Sequence, residues 1–172
     1  NEPPLHEEMN TDCLNPYSLS KYFGEKLCSL YSDLYGLKCI SLRYFNVYGP
    51  REPIKGEYAP VIGLFKRQKA SGDPCTIVGD GHQKRDFTYI SDVVRANIIC
   101  MESFIPDRHE IFNIGTGKSY SILNIASMVG GEKYHIDSRK AEIRETLADI
   151  SKAKDLLGWV PIYDLESMIL SY

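Results

Sequence analysis

One unit constrains this chain more than any other: a long helical pattern that stops at a glycine and passes at once into a strand pattern. Asn15 and Pro16 stand where an N-cap and a first-turn proline belong, and residues 17–35 contain no proline and one glycine, Gly24. Gly36 is the natural left-handed residue to close such a helix. Residues 37–44, Leu-Lys-Cys-Ile-Ser-Leu-Arg-Tyr, then have the alternation and β-branched content of a strand. A helix joined tightly to a strand predicts an α/β architecture with a partly parallel sheet.

The rest of the chain continues that alternation. Residues 1–15 are polar, proline-bearing and without a sustained period, which reads as a loop. Residues 45–58 carry Gly49, Pro50 and Pro53 and form a long loop of the kind that is often functional. A helix is predicted over 60–71, strands over 76–78 and 86–90, a helix over 91–102 capped by Ser91 and Asp92, and a strand over 111–114. Ser121 is placed to cap a helix through Val129, residues 134–136 suit one more strand, and two short helices start at Ser151 and Asp164. A dinucleotide-binding sheet should also show a Gly-rich strand-to-helix turn with an acidic residue about 20 positions later. Neither Gly79-Asp80-Gly81 nor Gly115-Thr116-Gly117 continues into such a turn.

Composition narrows the function classes. With 43% hydrophobic and 25% charged residues, the 172-residue chain has material for one compact core. A net charge of -3 and no run of Lys or Arg beyond two residues argue against a nucleic-acid partner. No apolar stretch is long enough for a membrane span. Five widely spaced cysteines without a C-x-x-C pair suggest neither a disulfide framework nor a zinc site, so a reduced, cytoplasmic setting is expected. His6, His82, His109 and His135 show no ligand spacing, and no metal is assigned.

Tyr17 and Lys21 lie four apart and so share one helix face. A phenol titrates near 10 and is a poor base at neutral pH, but a neighbouring ammonium favours the phenolate. Such a tyrosine can take a proton from a hydroxyl while hydride leaves the carbon. The same four-residue spacing also arises by chance on amphipathic helices, with the ring packed and the lysine solvated.

Five blocks, in order, decide between these readings. They are Asn15-Pro16-Tyr17-Ser18-Leu19-Ser20-Lys21 with Gly24-Glu25; Leu42-Arg43-Tyr44-Phe45-Asn46-Val47-Tyr48-Gly49-Pro50-Arg51; Val78-Gly79-Asp80-Gly81-His82-Gln83-Lys84-Arg85-Asp86-Phe87 with Asp92-Val93; Phe112-Asn113-Ile114-Gly115-Thr116-Gly117; and Leu147-Ala148-Asp149-Ile150-Ser151-Lys152-Ala153 with Leu157-Gly158-Trp159. Together they resemble the NAD-dependent epimerase/dehydratase family, the extended short-chain dehydrogenase/reductases that act on nucleotide sugars, and most closely its UDP-glucose 4-epimerase-like members.

The resemblance implies the C-terminal part of a Rossmann-like fold plus the smaller α/β substrate-binding domain. Residues 1–58 would end the dinucleotide-binding domain, and 59–172 would mainly bind the nucleotide sugar, with about 85–105 returning to the Rossmann part. Tyr17 would be the catalytic acid or base. Lys21 would tune it and hold the nicotinamide ribose of NAD, with Tyr17, Tyr44 and Asn46 as further cofactor contacts. Asn46, Arg85 and Arg139 would meet the substrate diphosphate, as amide and guanidinium donors can. Arg139 stands in Arg139-Lys140-Ala141-Glu142, where the family commonly has Arg-Pro-Gly-Asp or Arg-Pro-Gly-Glu. For Arg85 a surface pairing with Asp86 or Asp80 is the alternative. Tyr44 and Tyr48 would wall the nicotinamide pocket or sit in the core, and Asn113 would touch substrate or serve a turn.

Three functions stay open: UDP-hexose 4-epimerase, nucleotide-sugar 4,6-dehydratase, and a non-catalytic nucleotide-sugar binding module. The family's dinucleotide fingerprint precedes the tyrosine helix, so on the order of 120 further residues are expected upstream in a complete protein. The chain alone is expected to be inactive and to expose apolar faces. By the same resemblance the complete protein would be a homodimer.

Overall fold

A computed structural model describes residues 2–54, 59–103, 108–138 and 143–171. Arg139 therefore lies outside the described residues. The long helix forms as α1, Pro16–Tyr35. Asn15 accepts from the Ser18 amide at 2.8 Å while the Ser18 hydroxyl approaches the Asn15 amide, a capping box, and Gly36 closes the helix at φ 65°.

The strand that follows, β1, is Ile40–Tyr44, three residues shorter than its sequence pattern. It begins where its partner begins. In the order of the chain the strands then run β2 (Val47–Tyr48), β3 (Cys75–Val78), β4 (Lys84–Asp86), β5 (Thr88–Tyr89), β6 (Glu110–Ile114), β7 (Ser119–Ser121) and β8 (Lys133–Ile136). β1 pairs in parallel with β6, Ile40 opposite Glu110 and Tyr44 opposite Ile114. β2 pairs in parallel with β5, and β3 in parallel with β8. β4 and β7 pair antiparallel, Arg85 opposite Tyr120.

Successive strand residues point to opposite faces, and β1 shows it plainly. Arg43 clasps Glu25 of α1 through two bonds of 2.7 and 2.8 Å. The Tyr44 hydroxyl donates to Asn97 at 3.1 Å on α3, Ile90–Glu102. Thus α1 and α3 cover opposite faces of the same strand. Two apolar cores form. Val93, Ala96, Phe112, Ile114, Ala153 and Trp159 make one, between α3, β6 and α5 (Ser151–Leu157). The other joins α2 (Val61–Ser71), β3, α4 (Ile122–Val129) and α6 (Leu165–Ser171) through residues such as Ile62, Phe65, Ile77 and Ile125. Tyr48 is 2% exposed inside this second core, edge-on to Phe87. It is a packing residue.

Several local expectations change in the folded chain. The loop over 45–58 contains β2, and β7 has no counterpart in the sequence reading. Ser121 does cap α4, with its hydroxyl accepting from the Asn124 amide at 3.1 Å. Asp92 does not cap α3, which starts at Ile90. Its fully buried carboxylate instead accepts from the backbone amides of Ile162 and Tyr163, each at 3.1 Å. Asn113 serves neither a turn nor an open surface: it is buried, donating to the Leu5 and Asp149 carbonyls at 2.9 and 3.2 Å. The N-terminal segment is thereby tied down, with Leu5 also bridging in parallel to Ala148.

Candidate active site

Tyr17 and Lys21 occupy the first turns of α1, both exposed, with the Lys21 ammonium 5.4 Å from the centroid of the Tyr17 ring. That distance is a cation–π contact and places both polar ends on one side of the helix. The Asn15 cap and Pro16 fix the helix start, and the Glu25–Arg43 clasp fixes the helix against β1.

Asn46 sits at the junction where β1 leaves its pairing with β6 and β2 takes up its pairing with β5. Its φ of 23° is left-handed, a conformation that asparagine tolerates better than most residues. The Phe45 amide still donates to Ile114, while the Asn46 carbonyl accepts from Thr88 at 3.2 Å. Thr146, a residue that sequence reasoning did not single out, brings Asn46 to the Arg85 strand. Its amide donates to the Lys84 carbonyl at 3.1 Å and its hydroxyl donates to Asn46 Oδ1 at 3.3 Å. The only sequence signal for Thr146 is its place just before the Leu147 block.

Arg85 is half-buried in β4, and one of its terminal nitrogens donates to the Lys84 carbonyl at 2.8 Å. Asp80 and Asp86, the two acids weighed as its surface partners, bond to other groups. Asp80 holds Arg144 through two 3.0 Å bonds, which keep its carboxyl below the usual range. Asp86 is fully buried and accepts from the Thr116 hydroxyl and the amides of Thr116, Gly117 and Ala148, at 2.7 to 3.1 Å. Burial pushes its carboxyl up, and the Thr116, Ala148 and Gly117 donors oppose that push. Because side chains alternate along β4, anchoring Asp86 inward aims Arg85 at the opposite face.

Tyr44 points toward Asn97 and away from α1. The structure thus brings Asn46 together with β4 and ties both to α1 through β1.

One glycine of each glycine turn is required by packing. A Cβ at Gly81 would meet Ile77 and Leu123 at 2.7 Å, and one at Gly115 would meet Ala148 at 2.4 Å. Those glycines serve close packing within the chain. Among the described residues, the groups that fit NAD are the Lys21 ammonium and the Tyr17 phenol, which suit its nicotinamide end. No cluster of metal-ligating side chains occurs among the described residues, and no helix among them is long and apolar enough to cross a membrane.

Parallel pairing of β1 with β6, helices on both faces, and a Tyr–Lys pair at the head of the first helix define a Rossmann-type α/β protein of the short-chain dehydrogenase/reductase kind. The chain belongs to the NAD dependent epimerase/dehydratase family, whose profile matches residues 1–115. It is 40% identical over 172 residues to a Methanocaldococcus jannaschii protein provisionally named a UDP-glucose 4-epimerase, covering 96% of this chain and 54% of that one. It is 38% identical to the UDP-glucuronate 4-epimerase of Thermodesulfobacterium geofontis, covering 95% and 51%. The fold matches the UDP-glucuronic acid 4-epimerase of Bacillus cereus, solved with UDP-glucuronic acid and NAD, at a TM-score of 0.90 and 34% identity, over 98% of this chain and 55% of that one. The chain thus spans about half the length of these relatives.

Proposed function

We propose that this chain carries the substrate-side half of an NAD-dependent UDP-sugar 4-epimerase. The observation that carries this reading is the Tyr17–Lys21 pair, exposed on one face of α1 and joined through β1 to Asn46 and the Arg85 strand. NAD, when bound, supplies a reversible hydride acceptor. Tyr17 takes the proton from the C4 hydroxyl as the transient 4-keto sugar forms, then returns it after the sugar has turned over. Lys21 orients the phenol and holds the nicotinamide ribose. Asn46 and Arg85, with Arg139 outside the described residues, hold the diphosphate. Residues 1–58 and about 85–105 then belong to the dinucleotide-binding domain, and the remainder of 59–172 mainly to substrate binding. The relatives named above support the epimerase over the 4,6-dehydratase. They also favour a UDP-sugar as the ligand.

Calorimetry of this chain with UDP-glucose, UDP-glucuronic acid and UDP-N-acetylglucosamine tests the substrate half directly. Heat is expected with at least one, and Arg85→Ala should weaken it about tenfold to a hundredfold, the ~1.5–3 kcal/mol of a hydrogen bond to a charged group. No heat with any of the three would count against both the enzyme and the binding-module readings.

The complete protein is further proposed to be a homodimer. On α1 the small or polar residues Ser18, Tyr22, Glu25, Ser29 and Ser32 lie inward, whereas Leu19, Phe23, Leu30 and Leu34 are exposed in a ridge spaced like a helix-packing seam. A second copy is the occupant that such a self-matching ridge suits. Phe23→Lys is expected to shift sedimentation from dimer to monomer at micromolar concentration. A wild-type complete protein that sediments only as monomer would refute the dimer.

A further inference from the structure

Asn46 and Arg51 are the two non-glycine residues with left-handed backbone among the described residues, at φ 23° and 68°, and they flank β2 on either side. Such residues persist only where their surroundings hold them. At Asn46 the Thr88 amide and the Thr146 hydroxyl do so. Beyond Arg51 the hold is a buried acid. The Glu52 side chain is 11% exposed and faces Arg67 of α2 at 3.9 Å, and the Glu52 amide donates to the Gly49 carbonyl at 3.3 Å. Its Oε1 lies over the backbone of Gly63, also on α2, where a Cβ would overlap it. Glu52 Oε2 and Arg67 Nη2 are buried and have no hydrogen-bond partner among the described residues. Burial pushes the Glu52 carboxyl up, with Arg67 foremost among the groups opposing that push. A half-satisfied buried pair of this kind stabilises a fold no better than apolar side chains of similar volume, so its presence calls for a reason other than stability.

We propose that Glu52 is a positioning residue of the substrate site: seated on Gly63 and facing Arg67, its carboxylate holds the turn Gly49-Pro50-Arg51 against α2 and so keeps Asn46 aimed at the nucleotide-sugar diphosphate. This rests on the reading of Asn46 given above as a diphosphate contact. β2 has two residues and pairs only through Val47 with Thr88 and Tyr48 with Tyr89. Tyr48 fixes its middle in the core, which leaves its ends to Thr88 and Thr146 on one side and to Glu52 on the other. With Glu52 released, Arg51 can return to the ordinary right-handed or extended backbone regions. The turn then swings off α2, and Asn46 loses the far support of its short strand. Gly63 makes the seat, because any side chain there displaces the carboxylate.

Calorimetry of the folded chain with UDP, alongside thermal melting, provides the test. The latch is released by two routes: Gly63→Ala displaces the carboxylate without altering it, and Glu52→Leu combined with Arg67→Met replaces the pair by apolar side chains of similar size. Both variants should bind UDP about tenfold or more weakly, the loss expected when a hydrogen bond to a charged group is no longer aimed. Both should melt no lower than the wild type, since alanine suits a helix better than glycine and an apolar pair leaves no unsatisfied atoms. A merely structural role would spare the affinity and move the melting temperature. UDP affinity close to that of the wild type in either variant would overturn the proposal and leave the substrate reading intact. So would an affinity loss accompanied by a fall in melting temperature, which marks general loosening. A wild-type chain that gives no heat with UDP would overturn the substrate reading and the proposal with it.

Discussion

Asp92→Ala is expected to destabilise the fold by about 2–5 kcal/mol, because two backbone amides would lose their acceptor at about 1–3 kcal/mol each. The carboxylate is fully buried and accepts from Arg95 at 2.5 Å as well as from the amides of Ile162 and Tyr163. Its backbone carbonyl accepts from the Trp159 indole at 3.1 Å, and Trp159 is itself fully buried. One residue on α3 therefore holds the segment 159–163 in place, and with it the approach to α6. Truncation would orphan two amides and strand the Arg95 guanidinium beside the Val160 carbonyl, 3.3 Å away. Asp92→Asn keeps one acceptor oxygen and should cost less, about 1–3 kcal/mol. Urea unfolding distinguishes these outcomes. A lowered midpoint with an unchanged slope is expected for both, and an Asp92→Ala loss below about 1 kcal/mol would show that the buried carboxylate is not the anchor.

The second large effect concerns chemistry. Tyr17→Phe, measured with the NAD-binding portion of the protein present, should lower the turnover of UDP-sugar epimerisation about 10²- to 10⁴-fold, the range for loss of a general acid–base group. The ring and its contact with Lys21 persist in phenylalanine, and Tyr17 is half exposed, so stability and the KM for UDP-sugar should change little. A variant that retains about a tenth of wild-type turnover would exclude Tyr17 from proton transfer. A variant that loses UDP-sugar affinity instead would place Tyr17 in binding rather than chemistry.

How much of this was legible beforehand differs by element. α1 was readable almost to the residue because its signals are local: a side-chain cap, a first-turn proline and a left-handed glycine. The Ser121 cap was readable for the same reason. β7 was not, since Ser119-Tyr120-Ser121 has little strand character alone and becomes a strand only against β4. The residues 37–39 show the converse. Their pattern suits a strand, but only the Cys39 carbonyl is reached, by the Glu110 amide at 3.1 Å, and the paired register begins with Ile40 and Glu110.

The candidate site divides along the same line. Tyr17 and Lys21 are one helical turn apart, so their shared face follows from sequence spacing alone, and the ordered motif blocks were enough to mark the family. Spacing within a strand says only that neighbours face opposite ways, not which face meets which helix. Tertiary packing decided that Tyr44 turns to Asn97, that Tyr48 is core, that Asp92 anchors a distant loop rather than capping its own helix, and that Thr146 meets Asn46 across 100 positions. Helix caps and i,i+4 pairs are decided by backbone geometry within a few residues. Contacts between separate elements depend on how strands pair and helices cross them, which no local pattern encodes.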